Sequence, residues 1–238
     1  MTAGLLVAMG GAVHDGRGRD CVAAFCALAG KQVLVIPSAS QRRNPAEWYE
    51  APFARHGAST FVLPVWSVGD ANDEVNAQRV RDAGAVFLLG GVETYLLDTL
   101  LDTTVARALR EAHQAGAVVG GSSAGAMYLG QWVVEDIVRE KVEVGERARE
   151  PLLWLDSENA IYRGEGLLPR TVIDTHFSER HRLPRLVEVS RLLPSATCFG
   201  VDEATAAVID PRTGGIVSVV GEGGVTVARN GAVTTYAS

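Results

Sequence analysis

Ala117-Val-Val-Gly-Gly-Ser-Ser-Ala-Gly-Ala-Met127 is the most informative stretch of this sequence. Its apolar start is typical of a buried strand, and the residues from Ala124 onward can begin a helix. A serine at a sharp turn between the two, within Gly-x-Ser-x-Gly, is the pattern of a nucleophile elbow. The turn would present the Ser123 hydroxyl beside the free amides of a helix N-terminus, which favour developing negative charge. Ser123 is therefore the predicted nucleophile, and Ser122, which lacks glycines on both sides, is the alternative.

Upstream of this turn, short apolar runs alternate with helix-like stretches. The predicted strands are Leu5–Met9, Val33–Ile36, Phe61–Val65, Ala85–Leu89 and Ala117–Val119. The predicted helices are Asp20–Ala29, Pro45–His56, Asn72–Ala83 and Thr94–Ala115. Continuous apolar runs suit strands that are buried on both faces of a parallel sheet. The pattern predicts a doubly wound α/β fold with a mostly parallel sheet, whose functional residues lie at the carboxyl ends of the strands.

The second half of the chain has a less regular pattern. Glu135–Glu150 carries both charge signs, which predicts a solvated loop or a lid near the site. Farther on, the pattern predicts a helix at Leu183–Leu193 and strands at Thr197–Val201, Ala206–Ile209, Ile216–Val220, Val225–Arg229 and Ala232–Tyr236. The Asn230-Gly231 pair between the last two strands predicts a C-terminal β-hairpin. The sequence contains no interdomain linker or internal repeat, so we expect residues 1–238 to form a single domain.

The composition excludes several classes of protein. Of the 238 residues, 47% are hydrophobic and 21% are charged, which is typical of a folded chain with a large core. A net charge of −6 argues against binding to nucleic acid. No apolar run approaches the roughly 18 residues of a membrane helix, and the short apolar N-terminus lacks a basic region. Cys21, Cys26 and Cys198 are too few for a disulfide framework, which predicts a cytoplasmic protein with free thiols and no metal or other cofactor.

A serine nucleophile needs a general base, and position favours His176 among the five histidines. His176 follows the apolar run Thr171-Val-Ile-Asp174, so we expect it at a strand end on the same sheet edge as Ser123. An orienting carboxylate must also come from such an end. Spacing leaves this third member open among five acids, which are Glu135, Asp136, Asp174, Asp202 and Glu203.

A glycine pair, Gly90-Gly91, ends another central strand of the predicted sheet. An acyl-transfer site needs backbone N–H donors for the oxyanion of its tetrahedral intermediate. Beside an elbow, the glycine pair is the natural partner of the Ala124 amide for this purpose.

Four blocks of the sequence resemble the S51 serine peptidases, the family that contains cyanophycinase and the aspartyl dipeptidase peptidase E. In chain order, the blocks are Gly90-Gly91, Gly121-Ser-Ser-Ala-Gly-Ala126, Asp174-Thr-His-Phe-Ser-Glu-Arg-His-Arg-Leu-Pro-Arg-Leu186 and Gly200-Val-Asp-Glu-Ala-Thr-Ala206. The last two are the most specific, and they are more similar to the cyanophycinase branch. The resemblance implies a class I glutamine-amidotransferase-like, or flavodoxin-like, α/β fold.

The resemblance also implies roles for individual residues. By position, Ser123 resembles the family's nucleophile, His176 its general base and Glu203 its third member. Gly91 and Ala124 match the residues of its oxyanion hole. The positions that match its substrate site are Asp174, Arg180, Arg182 and Arg185. Arginines suit an acidic substrate because a guanidinium binds a carboxylate through two parallel hydrogen bonds.

Two further substrate-site positions depart from the cyanophycinase pattern. Glu93 and Thr175 stand where that branch has glutamines. A carboxylate in place of a neutral amide repels an acidic group and attracts a cation. We therefore expect activity on short peptides rather than on cyanophycin itself.

The expected activity is that of a serine peptidase that hydrolyses short or isopeptide (aspartyl-type) substrates through an acyl-enzyme on Ser123. The alternatives are cyanophycinase proper, an amidotransferase-like amidase and a non-catalytic binding module on the same fold. The amidase is disfavoured because such relatives usually have cysteine at the elbow. The expected partner is a small peptide substrate, with no nucleic acid and no membrane, and a homodimer is an expectation from the resemblance alone.

Overall fold

The computed structural model describes residues 2–13, 16–40, 46–136, 150–156 and 159–238. In chain order, the elements of these ranges are β1 (Leu6–Met9), α1 (Arg19–Ala29), β2 (Gln32–Ile36), α2 (Ala46–Ala54), β3 (Ser59–Val62), α3 (Val68–Ala71), α4 (Glu74–Arg81), β4 (Ala85–Leu88), α5 (Glu93–Leu100), α6 (Thr104–Gln114), β5 (Val118–Ser122), α7 (Ala124–Met127), β6 (Gly130–Asp136), β7 (Leu153–Trp154), β8 (Asn159–Arg163), β9 (Leu168–Asp174), α8 (Leu183–Leu192), β10 (Thr197–Val201), β11 (Thr205–Asp210), β12 (Gly215–Gly221), β13 (Gly224–Arg229) and β14 (Ala232–Ala237).

The first sheet contains the strands that the apolar runs of the first half predict. Its order is β12-β11-β1-β5-β4-β2-β3. The five strands from β1 to β3 in this order are parallel, and β11 and β12 join them in antiparallel pairings. Every side chain of β1 and β4 is buried, as expected for strands that are covered on both faces. The carboxyl ends of β1, β4 and β5 lead into Gly10-Gly11, Gly90-Gly91 and Ser123.

A second sheet, in the order β14-β13-β10-β9-β6-β8-β7, contains the other strands of the described ranges. Strand β9 pairs in parallel with β10 and β6, and the remaining pairings are antiparallel. The expectation of one mostly parallel sheet is therefore wrong. After β9, short turns rather than helices join most strands, and the turns between β11 and β12 and between β13 and β14 connect antiparallel neighbours. Residues 202–204 carry the chain from β10 in the second sheet to β11 in the first.

The predicted helix Thr94–Ala115 is divided into α5 and α6. Asp102 has a φ of +65°, a left-handed conformation that interrupts a right-handed helix. Thr103 then caps α6, because its hydroxyl accepts a hydrogen bond from the Ala106 N–H. The apolar spacing is helical on both sides of the break, so periodicity alone does not reveal it.

The charged segment Glu135–Glu150 does not begin as a solvated loop. Glu135 lies in β6, and only 6% of it is exposed. The strand continues through this position because the side chain enters the interior, where Thr94 donates hydrogen bonds to it. Residues 137–149, to which the lid prediction refers, lie outside the described residues.

Apolar packing fixes the two sheets against each other. The largest buried cluster takes residues from both, among them Leu6 and Val119 of the first sheet and Ile173 and Phe199 of the second. A separate cluster covers the other face of the first sheet beneath α1 and α2. The three cysteines are free and buried. No helix in the described part of the chain has both the length and the apolar character needed to cross a bilayer.

Candidate active site

Ser123 occupies a strained turn between β5 and α7. Its φ of +52° is rare for a residue with a side chain, and such strain is concentrated at functional sites. The glycines around it are required by space, because a Cβ on Gly121 would overlap the backbone of Gly125 and a Cβ on Gly125 would overlap the carbonyl of Leu88. Ser123 is partly exposed, whereas Ser122 is buried as the last residue of β5. The local geometry therefore favours Ser123 over its neighbour.

His176 reaches Ser123 from the second sheet. It follows β9, and its Nε2 lies 2.9 Å from Ser123 Oγ. The expectation that both residues come from one sheet edge is therefore wrong, although the two side chains do meet. Position along the chain could not show this, because the site lies where the two sheets adjoin.

Glu203 is the acid that contacts the imidazole. It lies in the turn between β10 and β11, with Oε1 at 2.7 Å from His176 Nδ1. Its neighbour Asp202 instead accepts hydrogen bonds from the Ser178 hydroxyl and from the N–H groups of Ser178 and Gly224. Asp202 thus holds the turn, and Glu203 faces the histidine.

The last residue of β1 and the two glycines that follow it hold all three of these loops. The carbonyl of Met9 accepts a hydrogen bond from the Ser123 N–H at 3.0 Å, and that of Gly10 accepts one from the His176 N–H at 2.8 Å. The carbonyl of Gly11 accepts one from the Ala204 N–H at 2.9 Å, next to Glu203. Three consecutive carbonyls therefore set the positions of the nucleophile, the base and the acid. The only sequence signal for this role is a glycine pair directly after the first buried strand.

Gly11 also lies next to the imidazole ring, so we expect Gly11→Ala to lower kcat by about 10²-fold or more. A Cβ at this position would come within 2.7 Å of His176 Nε2, and the φ of +106° disfavours any side chain. A displacement of the base by about 1 Å is enough for a loss of this size. Gly16→Ala is the matched control, since Gly16 also has a positive φ but its Cβ would meet no neighbouring atom within 4 Å. Equal activity of the two variants in a steady-state assay would contradict the role of Gly11.

The predicted oxyanion donors lie on two sides of the serine. Ala124 is the first residue of α7, so its N–H has no acceptor within the helix. A Cβ on Gly90 would come within 3.1 Å of Ser123 Cβ, which places the Gly90-Gly91 segment beside the nucleophile. Gly91 has a φ of +151°, and a Cβ there would overlap the carbonyl of Ala39. The backbone can follow this path only with glycine.

The surroundings of His176 favour its neutral form. Burial lowers the pKa of His176, the hydrogen bond to Glu203 opposes this effect, and the positive charges of Arg180 and Arg182 lower the pKa further. A neutral imidazole with its proton on Nδ1 donates to Glu203 and leaves Nε2 free to accept the serine proton. Glu203 Oε2 is in turn 3.2 Å from Nη1 of Arg17, an ion pair that the sequence did not suggest.

Asp174 holds two of the predicted substrate-site arginines in a buried cluster. Only 1% of Asp174 is exposed, and its Oδ1 accepts from Arg182 Nη1 at 3.0 Å. Arg185 binds both carboxylate oxygens at 2.7 Å and also donates to Asn159. These contacts fix the segment between β9 and α8 that carries His176. Removal of Asp174 would leave two largely buried guanidinium groups without their shared carboxylate, and breaking a buried pair in this way typically costs about 3–5 kcal/mol of stability.

The remaining predicted substrate-site residues differ in how accessible they are. Thr175 is fully buried, and its hydroxyl lies 3.4 Å from Met127 Sδ. Arg180 is exposed and close enough to His176 to lower its pKa, and Glu93 is half-buried at the start of α5. Arg180 and Glu93 are thus at least partly exposed to solvent, whereas the structure encloses Asp174 and Thr175. The burial of Asp174 and Thr175 does not support the prediction that they contact the substrate.

Comparison with known proteins agrees with the resemblance seen in the four sequence blocks. The profile of "Peptidase family S51" matches residues 5–215. The cyanophycinase of Synechococcus elongatus is 31% identical over 242 residues, which cover 98% of this chain and 71% of that protein. The cyanophycinase of Geminocystis herdmanii is 28% identical over 237 residues, with 96% and 82% covered.

The fold has a counterpart among solved structures. The crystal structure of a peptidase from an acI-B1 Actinobacterium has a TM-score of 0.70 and 22% identity to this chain, and the match covers 99% of this chain and 94% of that one. The similarity thus extends over both sheets. Because the family profile spans most of the sequence, the chain belongs to peptidase family S51 and is a peptidase.

Proposed function

We propose that this protein is a serine peptidase that cleaves short peptide or isopeptide substrates of the aspartyl type through an acyl-enzyme on Ser123. The observation that carries the proposal is the continuous chain of hydrogen bonds from Ser123 Oγ through His176 to Glu203, at 2.9 and 2.7 Å. A nucleophile, a base within reach and an orienting acid are the parts that acyl transfer needs. A non-catalytic binding module would have no use for this arrangement.

In the first half of the reaction, His176 Nε2 takes the proton of the Ser123 hydroxyl as Oγ attacks the scissile carbonyl. Glu203 holds the imidazole in the tautomer that leaves Nε2 unprotonated, and it stabilises the imidazolium that forms. The N–H groups of Gly91 and Ala124 donate to the oxyanion.

His176 then gives its proton to the leaving amine, and the C–N bond breaks to leave the acyl-enzyme. In the second half, a water molecule attacks the ester of Ser123, with His176 again taking the proton. The second tetrahedral intermediate collapses as the C–Oγ bond breaks and His176 returns its proton to Oγ, which releases the carboxylic acid and restores the serine hydroxyl. The same base and the same donors serve both halves.

The proposed fold assignment follows from the first sheet. Its parallel strands have the spatial order β1-β5-β4-β2-β3. The chain adds β3 on one side of β2 and then adds β4 and β5 on the other side. Such a switch point is characteristic of doubly wound sheets, so the order supports a class I glutamine-amidotransferase-like arrangement for this part of the chain.

A hydrolysis screen tests the function directly. The substrates are α- and β-linked aspartyl dipeptides, β-aspartyl-arginine, longer peptides and cyanophycin, each assayed with the parent protein and with Ser123→Ala. We expect release of amine from short substrates by the parent protein only, and little or none from the polymer. Turnover of no peptide in the screen, or equal turnover by both proteins, would contradict the proposal.

The pH profile of kcat/KM should have an acidic limb below the ordinary histidine pKa of about 6.5. His176 accepts a proton only when neutral, so activity falls as the pH drops through its pKa. Burial and two arginines lower that pKa, which extends activity to lower pH. We expect Arg180→Gln to move the limb to higher pH, because a positive charge near the imidazole is removed. Arg191→Gln, a change on the exposed side of α8, should leave the acidic limb at the pH of the parent protein. An acidic limb at the same pH in both variants would contradict a role of Arg180 in lowering the pKa of His176.

A further inference from the structure

The two carboxylate oxygens of Glu203 have different partners. Oε1 lies 2.7 Å from His176 Nδ1, and Oε2 lies 3.2 Å from Arg17 Nη1. The terminal torsion of a glutamate side chain has a broad energy minimum, so a carboxylate that is held at one oxygen can still rotate about this bond. A contact at the second oxygen removes that freedom. Arg17 therefore acts on the orientation of the carboxylate that faces the histidine.

The main chain around Glu203 is fixed by contacts of its own. The Glu203 N–H donates to Glu179 Oε2 at 3.2 Å. The next residue, Ala204, donates its N–H to the Gly11 carbonyl at 2.9 Å, and its own carbonyl accepts the N–H of Glu222 at 3.0 Å. These contacts place the Cα of Glu203, but several rotatable bonds separate Cα from the carboxylate. Ordering such a long side chain costs conformational entropy, so the main-chain contacts alone do not fix the carboxylate.

A closed turn before α1 brings Arg17 to this side of the site. Gly18, the next residue, has a φ of +62°, and a Cβ there would come within 2.8 Å of Val13 Cγ1. Val13 is buried in the apolar cluster that also contains residues of α1. The Gly18 carbonyl accepts the N–H groups of Cys21 and Val22 in the first turn of α1. The turn is thus joined to the core and to the helix, so the Arg17 side chain starts from a fixed main chain.

A second acid holds the guanidinium of Arg17. Its Nε lies 3.2 Å from Glu222 Oε2, while its Nη1 contacts Glu203. A guanidinium is planar and rigid, so binding one acid through Nε sets the direction of the other N–H groups. The side chains of Arg17 and Glu222 are 46% and 55% exposed. Ion pairs that are exposed to this extent add little to the stability of a fold, because water screens them.

We propose that Arg17 is a positioning residue of the triad, which acts through Glu203 and not on the substrate. The assignment rests on the proposed peptidase function. With Oε2 bound to Arg17, Oε1 stays directed at His176 Nδ1 and keeps the imidazole proton on that nitrogen, so Nε2 is free to accept the serine proton. Without Arg17, the carboxylate samples orientations in which the imidazole loses its acceptor.

Steady-state kinetics of Arg17→Gln test this role. We expect kcat to fall about 10-fold with KM unchanged, less than the roughly 10²-fold loss from a 1 Å displacement of the base, because His176 and Glu203 both remain. Arg17→Lys keeps the charge without the rigid fork and should recover part of the loss. The matched control is Arg19→Gln, which removes an exposed arginine charge at the start of α1 and should leave kcat unchanged. Equal kcat values for Arg17→Gln and Arg19→Gln would overturn the proposal.

A double-mutant cycle shows whether Arg17 acts through Glu203. In Glu203→Gln protein the carboxylate is absent, so adding Arg17→Gln should cause no further loss of kcat. Additive losses would mean that Arg17 acts on another group, and they would overturn the assignment. The Tm of Arg17→Gln should stay close to that of the parent protein, since the ion pairs of Arg17 are exposed. A lowered Tm together with a raised KM would indicate a purely structural role and would equally contradict the proposal.

The tautomer of His176 provides a readout that needs no substrate. Nitrogen-15 NMR shifts of the ring nitrogens, detected through the carbon-bound ring protons, report which nitrogen carries the proton, and His176→Ala identifies the signals. At a pH above the pKa of His176, we expect the Nδ1–H tautomer to predominate in the parent protein and in Arg19→Gln. Its share should fall in Arg17→Gln, because the hydrogen bond to Glu203 selects this tautomer. Equal tautomer populations in the three proteins would overturn the role of Arg17.

Failure of this inference can be distinguished from failure of the proposed function. Hydrolysis that depends on Ser123, with the same kcat in Arg17→Gln and in the parent protein, would overturn the role of Arg17 and leave the peptidase intact. Absence of any hydrolysis by the parent protein would contradict the peptidase, whereas the tautomer measurement would still decide whether Arg17 positions Glu203 against His176.

Discussion

Ser123→Ala is expected to lower kcat by about 10⁶-fold, the loss typical of removing the nucleophile from a serine triad. No other group takes over, because the attacking atom is the hydroxyl oxygen that lies 2.9 Å from His176 Nε2. Alanine lacks that oxygen but fits the tight turn, since it is smaller than serine. Steady-state kinetics on a substrate identified in the hydrolysis screen, combined with thermal unfolding, measure both effects. We expect the melting temperature to stay close to that of the parent protein.

Ser122→Ala is the control for this change. It removes a hydroxyl one residue away, from a buried side chain at the end of β5. This variant should keep most of the parent activity. Near-normal turnover by Ser123→Ala would contradict the mechanism, and loss of activity in Ser122→Ala alone would make Ser122 the nucleophile.

Glu203→Gln should lower kcat by about 10⁴-fold, the second largest effect that we expect. The neutral amide retains the size of the side chain, but it no longer stabilises the imidazolium and can stabilise the wrong tautomer of His176. The loss should appear in kcat rather than in KM, because Glu203 contacts His176 at 2.7 Å and acts through it.

Glu222→Gln provides a matched comparison for Glu203. Both carboxylates lie 3.2 Å from the Arg17 guanidinium, but only Glu203 also contacts His176. We expect a small effect of Glu222→Gln on kcat. If the two variants lost activity equally, Arg17 rather than the histidine would be the important partner of Glu203.

The first half of the fold follows from the sequence because its physical signals are local. A parallel strand buried on both faces must be apolar along its length, so the runs at β1, β2, β4 and β5 are visible without a structure. The sequence also predicts β10, β13 and β14 as strands, but it does not show that they belong to a second sheet. Its strand β6 carries Glu135, and a charged side chain in a charged stretch indicates a loop unless its buried contacts are known.

The sequence predicts which residues form the candidate site, but it does not predict which sheets bring them together. The elbow glycines and the four family blocks single out Ser123, His176 and Glu203, and the membership of the S51 family is confirmed. That His176 and Glu203 reach Ser123 from another sheet depends on long-range pairing, which spacing does not contain. The arginines illustrate the same limit, because Arg182 and Arg185 satisfy a buried Asp174 that no local pattern connects to them.

The most direct test of the account is covalent labelling of the folded protein with a fluorophosphonate probe, followed by peptide mass spectrometry. We expect one label per chain, attached to Ser123 Oγ as fluoride leaves. We also expect little labelling of His176→Ala, whose serine lacks a base, and none of the denatured protein. Absence of label from the folded parent protein, or a label on Ser122, would contradict the claim that His176 and Glu203 activate Ser123.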